Sequence, residues 1–150
     1  MSTSELYHVA IVVPDLAAAA AHLTGLLGTE WGPVVEGADA DADVPMPNRM
    51  RYSTRAPYLE LIEETPGTPW VCNEHSNLHH IGFWSTDLAG DSAALTTGRC
   101  PLEICGHAEG EAPVTFAYHR DPLGVRLELV DVAMRPPMEE FLMRPPPDPA

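Results

Sequence analysis

The chain repeats itself. The run from His8 to Ala17, HVAIVVPDLA, returns 72 positions later as His80 to Ala89, HIGFWSTDLA. A second pair follows: Leu59 to Glu63, LELIE, returns after 68 positions as Leu127 to Asp131, LELVD. Each copy opens with a histidine in an apolar run and closes with a glutamate inside another. Such a repeat constrains the fold strongly, because a unit of this size leaves one apolar face bare and must bury it against its copy.

Strand and helix signals recur in the same order within each copy. Leu6 to Val13 predicts a strand, and Pro14-Asp15 ends it and caps a helix over Leu16 to Leu27 that stops at Gly28. Trp31 to Val35, Arg49 to Arg55 and Tyr58 to Glu63 predict three more strands, with a turn at Ala56-Pro57. Gly37 to Asn48, rich in small and acidic residues, predicts a mobile loop. The second copy predicts a strand at Leu78 to Ser85, a helix at Leu88 to Thr97 capped by Asp87, and strands near Leu102–Gly106, Val114–Tyr118 and Val125–Val130. Asp121 to Gly124 is a hairpin-type turn.

The expected organisation is a βαβββ module over residues 1–64, a linker over 65–77, a second βαβββ module over 78–132 and a proline-rich tail over 133–150. The tail cannot join a sheet, but Met138 to Met143 has room for one or two helical turns. The fold class is α+β: two tandem modules forming a curved, eight-stranded incomplete barrel with outer helices and a central cavity.

Strand alternation places four residues on the cavity side. His8 opposes Val9, Ile11 and Val13; Glu60 opposes Leu59 and Leu61; His80 opposes Ile81 and Phe83; Glu128 opposes Leu127 and Leu129. One such glutamate is ordinarily the wet face of a strand, and one such histidine is ordinarily no ligand. Four at equivalent places in a repeat make a set suited to one divalent metal ion, of which Zn, Ni, Co, Mn, Mg and Fe all remain open. Cavity-facing carboxylates also need a cation or hydrogen bonds to stay charged. His80 rather than His79 is the ligand candidate because it aligns with His8.

Charge and composition narrow the partners. The net charge is −14, with eight arginines and no lysine, so a nucleic acid would be repelled. No apolar run is long enough to span a membrane, and the N-terminus lacks a signal-peptide layout. Three cysteines without a C-x-x-C pair suit a reducing cytoplasm. Arg49, Arg51 and Arg55 form a local basic patch: either a solvated strand edge or, through Arg51, a contact for a substrate anion. Trp31, Trp84 and Tyr118 are candidate cavity walls, Trp84 foremost because it shares strand parity with His80. His119, beside the final hairpin, is either a donor to a bound oxyanion or a half-solvated turn histidine.

The phrases HVAIVVPDL from His8, YLELIE from Tyr58, LHHIGF from Leu78 and RDPLGVRLELV from Arg120 together resemble the vicinal oxygen chelate superfamily. That superfamily includes glyoxalase I, methylmalonyl-CoA epimerase, extradiol dioxygenases and bleomycin-resistance proteins. The resemblance covers roughly residues 5 to 131 and leaves the tail outside. It places the family's metal positions on His8, Glu60, His80 and Glu128. An acid at Glu60 is more similar to the glyoxalase I and epimerase branch than to the dioxygenases. The matching epimerase loop carries a catalytic glutamate, whereas this chain reads Pro45-Met46-Pro47-Asn48, which argues against methylmalonyl-CoA itself.

The resemblance implies a metal-dependent isomerase, epimerase or lyase that chelates neighbouring oxygens of a small α-hydroxy or α-keto substrate and stabilises an enediolate, with Glu60 or Glu128 as the proton shuttle. A non-catalytic binder of natural products or antibiotics, and an Fe(II) dioxygenase, are the alternatives. A homodimer is expected because incomplete barrels expose strand edges.

Overall fold

Capping residues set the first helix where the sequence puts it. Asp15 accepts a hydrogen bond from the Ala18 amide at 2.8 Å, and Gly28 ends the helix in the left-handed conformation at φ 66°. The computed structural model describes residues 5–37, 47, 49–109 and 112–144, side chains of 107–109 excepted. The first half runs β1 (Glu5–Val13), α1 (Leu16–Leu27), β2 (Trp31–Glu36), β3 (Arg49–Ser53) and β4 (Tyr58–Glu63). The second runs β5 (Leu78–Ser85), α2 (Leu88–Thr97), β6 (Leu102–Glu109), β7 (Ala112–Arg120) and β8 (Arg126–Asp131). A short 3-10 turn (Val132–Met134) then leads into α3 (Arg135–Leu142). Of the loop expected over Gly37 to Asn48, and of its Pro45-Met46-Pro47-Asn48 stretch, only Gly37 and Pro47 lie within the described residues.

All eight strands form one open sheet in the order β2-β3-β4-β1-β5-β8-β7-β6. Each half contributes four neighbouring strands, with β4 parallel to β1 and β8 parallel to β5. The halves join through β1 and β5, which run antiparallel. This is the α+β, eight-stranded, unclosed architecture that the repeat implies.

Register explains why the repeated residues meet. Across β1 and β5, His8 lies opposite Gly82, Val9 opposite Ile81 and Ala10 opposite His80. The two histidines therefore flank the Val9–Ile81 pair and emerge on one face of adjacent strands. Parallel pairing then brings Glu60 level with Ala10, and Glu128 level with Gly82. The next strands add Tyr52 beside Glu60 and Tyr118 beside Glu128. Two rows result, related by a pseudo-twofold: Tyr52–Glu60–Ala10–His80 and Tyr118–Glu128–Gly82–His8.

The two faces of the sheet bury different things. On the helix face, Val13, Leu16, Ala20 and Leu61 form one cluster, and Leu88, Ala117 and Leu129 form another. On the inner face, Tyr7, Ala10, Val12, Met50, Tyr52, Ile62, Trp70, Trp84, Tyr118 and Leu142 form a single cluster that crosses the halves. Two of these extend the sequence reading. Trp70, in the expected linker, is only 1% exposed, and Leu142 brings the last residue of α3 into the core. Helix α3 is a wall of the molecule: a Cβ on Gly32 of β2 would lie 2.8 Å from a Leu142 methyl, so α3 rests directly on that strand.

Candidate metal centre and its cavity

Four side-chain atoms converge on the inner face. His8 Nε2 lies 3.2 Å from Glu60 Oε2 and 3.1 Å from Glu128 Oε2. His80 Nε2 lies 3.3 Å from each of the same two oxygens, and the two Nε2 atoms are 2.7 Å apart. All four residues are buried, the histidines at 0% and 1% exposure. Potential ligand atoms of His8, His80 and Glu128 all lie within 4.8 Å of one another, near enough to share one ion, and Glu60 closes on both imidazoles.

Electrostatics show what this constellation lacks. Burial alone would lower the His8 pKa, but the carboxylates of Glu60 and Glu128 outweigh it and hold it at about 9. His80 is raised in the same way, chiefly by Glu128, against the opposing effect of burial. Burial would raise both glutamates, yet the facing histidines lower them, His8 dominating for Glu60 and His80 for Glu128. The cluster thus draws positive charge to its centre. Protons satisfy that demand poorly, since two Nε2 atoms 2.7 Å apart share one hydrogen and cannot both donate to each other. Glu60 Oε2 accepts no hydrogen bond of normal geometry.

A divalent cation suits the donor set. Ligands about 2.0–2.2 Å from such an ion sit roughly 2.9–3.4 Å from one another, which brackets the four His–Glu separations of 3.1–3.3 Å, whereas the two Nε2 atoms, at 2.7 Å, would part slightly to share the ion. Imidazole and carboxylate together accept several first-row metals as well as Mg²⁺.

His79 and Gly82 complete the surroundings. His79 Nδ1 lies 2.8 Å from His80 Nδ1, its Nε2 lies 3.1 Å from the Pro69 carbonyl oxygen, and Arg126 contacts the same nitrogen. Burial, then His80 and Arg126, lower the His79 pKa to about 3, so it is neutral. With its proton on Nε2, donated to the Pro69 carbonyl, a neutral His79 accepts at Nδ1 from His80 Nδ1–H, which leaves the His80 Nε2 lone pair free for a ligand. His8 has no such partner: its Nδ1 is buried without a hydrogen bond. Its ring lies over Gly82 instead, where a Cβ would come within 2.3 Å of the imidazole.

Above the four residues opens a cavity of about 340 Å³. Glu60 and Glu128 lie at its floor, and Tyr7, Tyr52, Trp70, Trp84, Phe116 and Tyr118 line its walls. Trp84 and Tyr118 therefore stand where the sequence places them. Tyr7 stacks on Trp84 with centroids 3.9 Å apart. Residues from α3, including Met138 and Phe141, cover one side.

Three expectations need correction. His119 does not reach the cavity. It follows Tyr118 on β7, so the pleat turns it to the helix side, where Nε2 meets Ser92 Oγ at 3.0 Å and Nδ1 meets the Cys100 carbonyl at 2.8 Å. Arg51, between Met50 and Tyr52, also turns away, its Nε donating to the Gly32 carbonyl at 2.6 Å. The basic patch around it is occupied by carboxylates, Arg49 by Glu63 and Glu36, Arg55 by Glu30. Trp31 packs on α1, donating its indole N–H to the Ala20 carbonyl. The sequence reading missed Tyr7, Tyr52 and Trp70, and it expected a helix at Met138 to Met143 where α3 begins at Arg135. Tyr52 was within reach, since it shares parity with Met50 in a strand whose other face carries arginines. Tyr7 was not: a register shift between Leu6 and His8 lets two consecutive residues enter the core.

A profile of the glyoxalase/bleomycin resistance protein/dioxygenase superfamily matches residues 7–118. The chain belongs to that superfamily. No curated protein sequence matches it significantly. Solved structures share its fold at low identity. A Streptomyces coelicolor methylmalonyl-CoA epimerase variant in complex with 2-nitronate-propionyl-CoA is 21% identical, covering 88% of this chain and 99% of that one at TM-score 0.64. Methylmalonyl-CoA epimerase from Mycobacterium tuberculosis is 20% identical over 87% and 91% of the chains at TM-score 0.59. A 2,3-dioxygenase from Pseudomonas sp. KL28 is 20% identical over 85% of this chain and 42% of that one at TM-score 0.54.

Proposed function

We propose that the chain is a metal-dependent isomerase, epimerase or lyase of the vicinal oxygen chelate type. It acts on a small α-hydroxy or α-keto compound by removing a proton next to a carbonyl and carrying the resulting enediolate. One observation carries the reading: two carboxylates at the floor of an apolar cavity meet two buried imidazoles within 3.3 Å, the four drawn from equivalent places in both halves. A divalent ion held by His8, Glu60, His80 and Glu128 would supply the positive charge that polarises a carbonyl there.

The chain's own residues do the rest. Glu60 and Glu128 are ionised, their carboxyls held below the ordinary range by the facing histidines, and both reach the cavity. Either is placed to take and return a substrate proton. Tyr52 and Tyr118 stay protonated, because burial and the same glutamates push their pKa up. They are therefore donors for an oxygen on which negative charge grows. The aromatic walls give the space above the floor an apolar lining. The modules at 1–64 and 78–132 assemble this site within one cytoplasmic chain, and the open edges at β2 and β6 suit pairing into a homodimer.

Metal analysis of the untagged protein beside a His8→Ala/Glu128→Ala double variant tests the reading. About one divalent ion per chain is expected, lost in the variant, with α-proton exchange in deuterated water against small hydroxy and keto compounds. Glu60→Gln and Glu128→Gln should each slow exchange, by about 10²–10⁴-fold for the residue that shuttles the proton. No metal in either protein after supplying Mn²⁺, Ni²⁺, Zn²⁺ or Fe²⁺ would leave a binding cavity. Oxygen uptake with Fe²⁺ would move the chain to the dioxygenases.

A further inference from the structure

The cavity presents one kind of surface. Tyr7 stacks on Trp84 at 3.9 Å and on Tyr52 at 6.0 Å between centroids. Phe116 and Tyr118 close the opposite wall, 5.4 Å apart, and α3 adds Met138 and Phe141 from above. No arginine or histidine side chain is among the described residues that line it, and the chain has no lysine.

Arginines nearby are already committed. Arg135, 6.0 Å from the Trp84 ring, is bound to Glu5 at 2.8 Å and Glu139 at 3.0 Å. Arg49 is bound to Glu63 and Glu36, and Arg51 to the Gly32 carbonyl. An anionic group entering this space would meet two glutamates at the floor and no described cation at the walls.

Neutral oxygen is served better. The Trp70 indole N–H approaches the Tyr118 hydroxyl but completes no hydrogen bond of normal geometry, and Trp70 is 1% exposed. A buried donor without an acceptor is costly unless a ligand supplies one. Volume sets the scale: about 340 Å³ equals roughly eleven waters at ~30 Å³ each, the bulk of one or two rings.

We infer that the substrate has an uncharged aromatic body of one or two rings bearing adjacent neutral oxygens at one end, and that it carries no phosphate or coenzyme A group. This rests on the function proposed above for the oxygens, whereas the aromatic body follows from the walls. Specificity is then set in part by α3, which Leu142 seats on Gly32 so that Met138 and Phe141 cover the rings.

Binding of four probes to the full chain, with and without Mn²⁺, tests this by quenching of tryptophan fluorescence. The probes are 2-hydroxyacetophenone, acetophenone, phenyl phosphate and acetyl-CoA. In metal-free protein both ketones should bind at least about tenfold tighter than phenyl phosphate or acetyl-CoA. Equal or tighter binding of either anion, or no ketone binding at millimolar concentration, would overturn the substrate class.

The hydroxyl separates the two readings. With Mn²⁺, 2-hydroxyacetophenone should gain over acetophenone. Ketone preference without that gain keeps the aromatic body and sinks the chelating function. The gain without ketone preference in metal-free protein does the reverse. Met138→Arg should weaken 2-hydroxyacetophenone at least about tenfold while metal content stays unchanged, and unchanged binding would remove α3 from the site. The ligand series uses the unaltered protein, so it decides whether or not that variant folds.

Discussion

The two ligand rows are alike in what they present and unlike in how they hold it. Tyr52–Glu60–Ala10–His80 and Tyr118–Glu128–Gly82–His8 occupy equivalent registers. Yet His80 is oriented by a hydrogen bond to His79, whereas His8 has no partner at Nδ1 and is oriented by packing. Tyr7 meets its ring edge-on at 4.2 Å, and Gly82 leaves room beneath it. Repetition therefore preserved the ligand atoms and let their supports diverge. A ligand fixed by packing should be sensitive to volume, and one fixed by a hydrogen bond should be sensitive to polarity.

Gly82→Ala is the sharpest way to break this asymmetry. A Cβ there would stand 2.3 Å from the His8 ring, so the imidazole must move. Overpacking of this kind costs about 1–3 kcal/mol, which corresponds to roughly tenfold to a hundredfold in metal affinity if it falls on the bound geometry. The equivalent change in the other row, Ala10→Gly, should cost about 1 kcal/mol of stability through backbone entropy and leave metal affinity nearly intact. Metal titration and chemical denaturation of both variants measure this. Equal affinities for the two proteins would sink the packing account.

Proton competition gives the next effect. In metal-free protein the His8 pKa stands at about 9 against an ordinary 6.5. Its charge thus contributes stability that is fully present below 6.5 and lost as pH rises through 9. Glu60 and Glu128, lowered from 4.5, contribute stability present above 4.5 and lost as pH falls. Metal-free protein should accordingly be more stable near pH 6 than near pH 10. A metal must displace the His8 proton, so affinity should climb by up to about tenfold per pH unit until pH 9. Thermal melts with and without Mn²⁺ at pH 6.5 and 9 read both trends. A metal-induced rise in Tm that is the same at both would contradict them.

His79 tests the polar half of the comparison. His79→Ala removes the hydrogen-bond partner that His80 Nδ1 has among the described residues but leaves the ligand atom in place. Loss of such an outer hydrogen bond typically weakens metal binding about 10–100-fold, and the lower end is expected here because Tyr118 still packs on His80 at 4.9 Å. His79→Gln, which can accept a hydrogen bond, should recover part of the loss. If His79→Phe recovers as much, the role is steric.

Much of this is legible in the sequence. Strand parity alone puts His8, Glu60, His80 and Glu128 on one face, because a period of two leaves no third choice once the repeat fixes the register of each strand. Helix α1 was equally plain, its Asp15 and Gly28 caps being local chemistry. What failed had non-local causes. Arg51 looked available because sequence shows its charge and not the Gly32 carbonyl that claims it. Trp70 looked like linker because its burial depends on the second half folding over it. The helix expected at Met138 to Met143 starts earlier than the prolines near Arg135 suggest, because Pro136 and Pro137 occupy the first turn of α3, where a missing N–H costs nothing.

His119 marks the boundary between these cases and supports the smallest effect on the site. Parity with Ala117, not with Tyr118, turns it from the cavity, and both ring nitrogens are engaged by Ser92 and the Cys100 carbonyl. It ties β7 to α2 and to the segment that follows that helix, wholly out of contact with solvent. His119→Ala would leave the Ser92 hydroxyl unpaired in a buried place and open a void. Together these should destabilise the protein by about 1–3 kcal/mol. Metal affinity and ligand binding should change less than about twofold at temperatures where the variant is folded, since no atom of the His119 ring reaches the inner face. A large fall in substrate turnover with unaltered stability would return His119 to the chemistry, and would mean that the two faces of this sheet are coupled more tightly than their separate cores suggest.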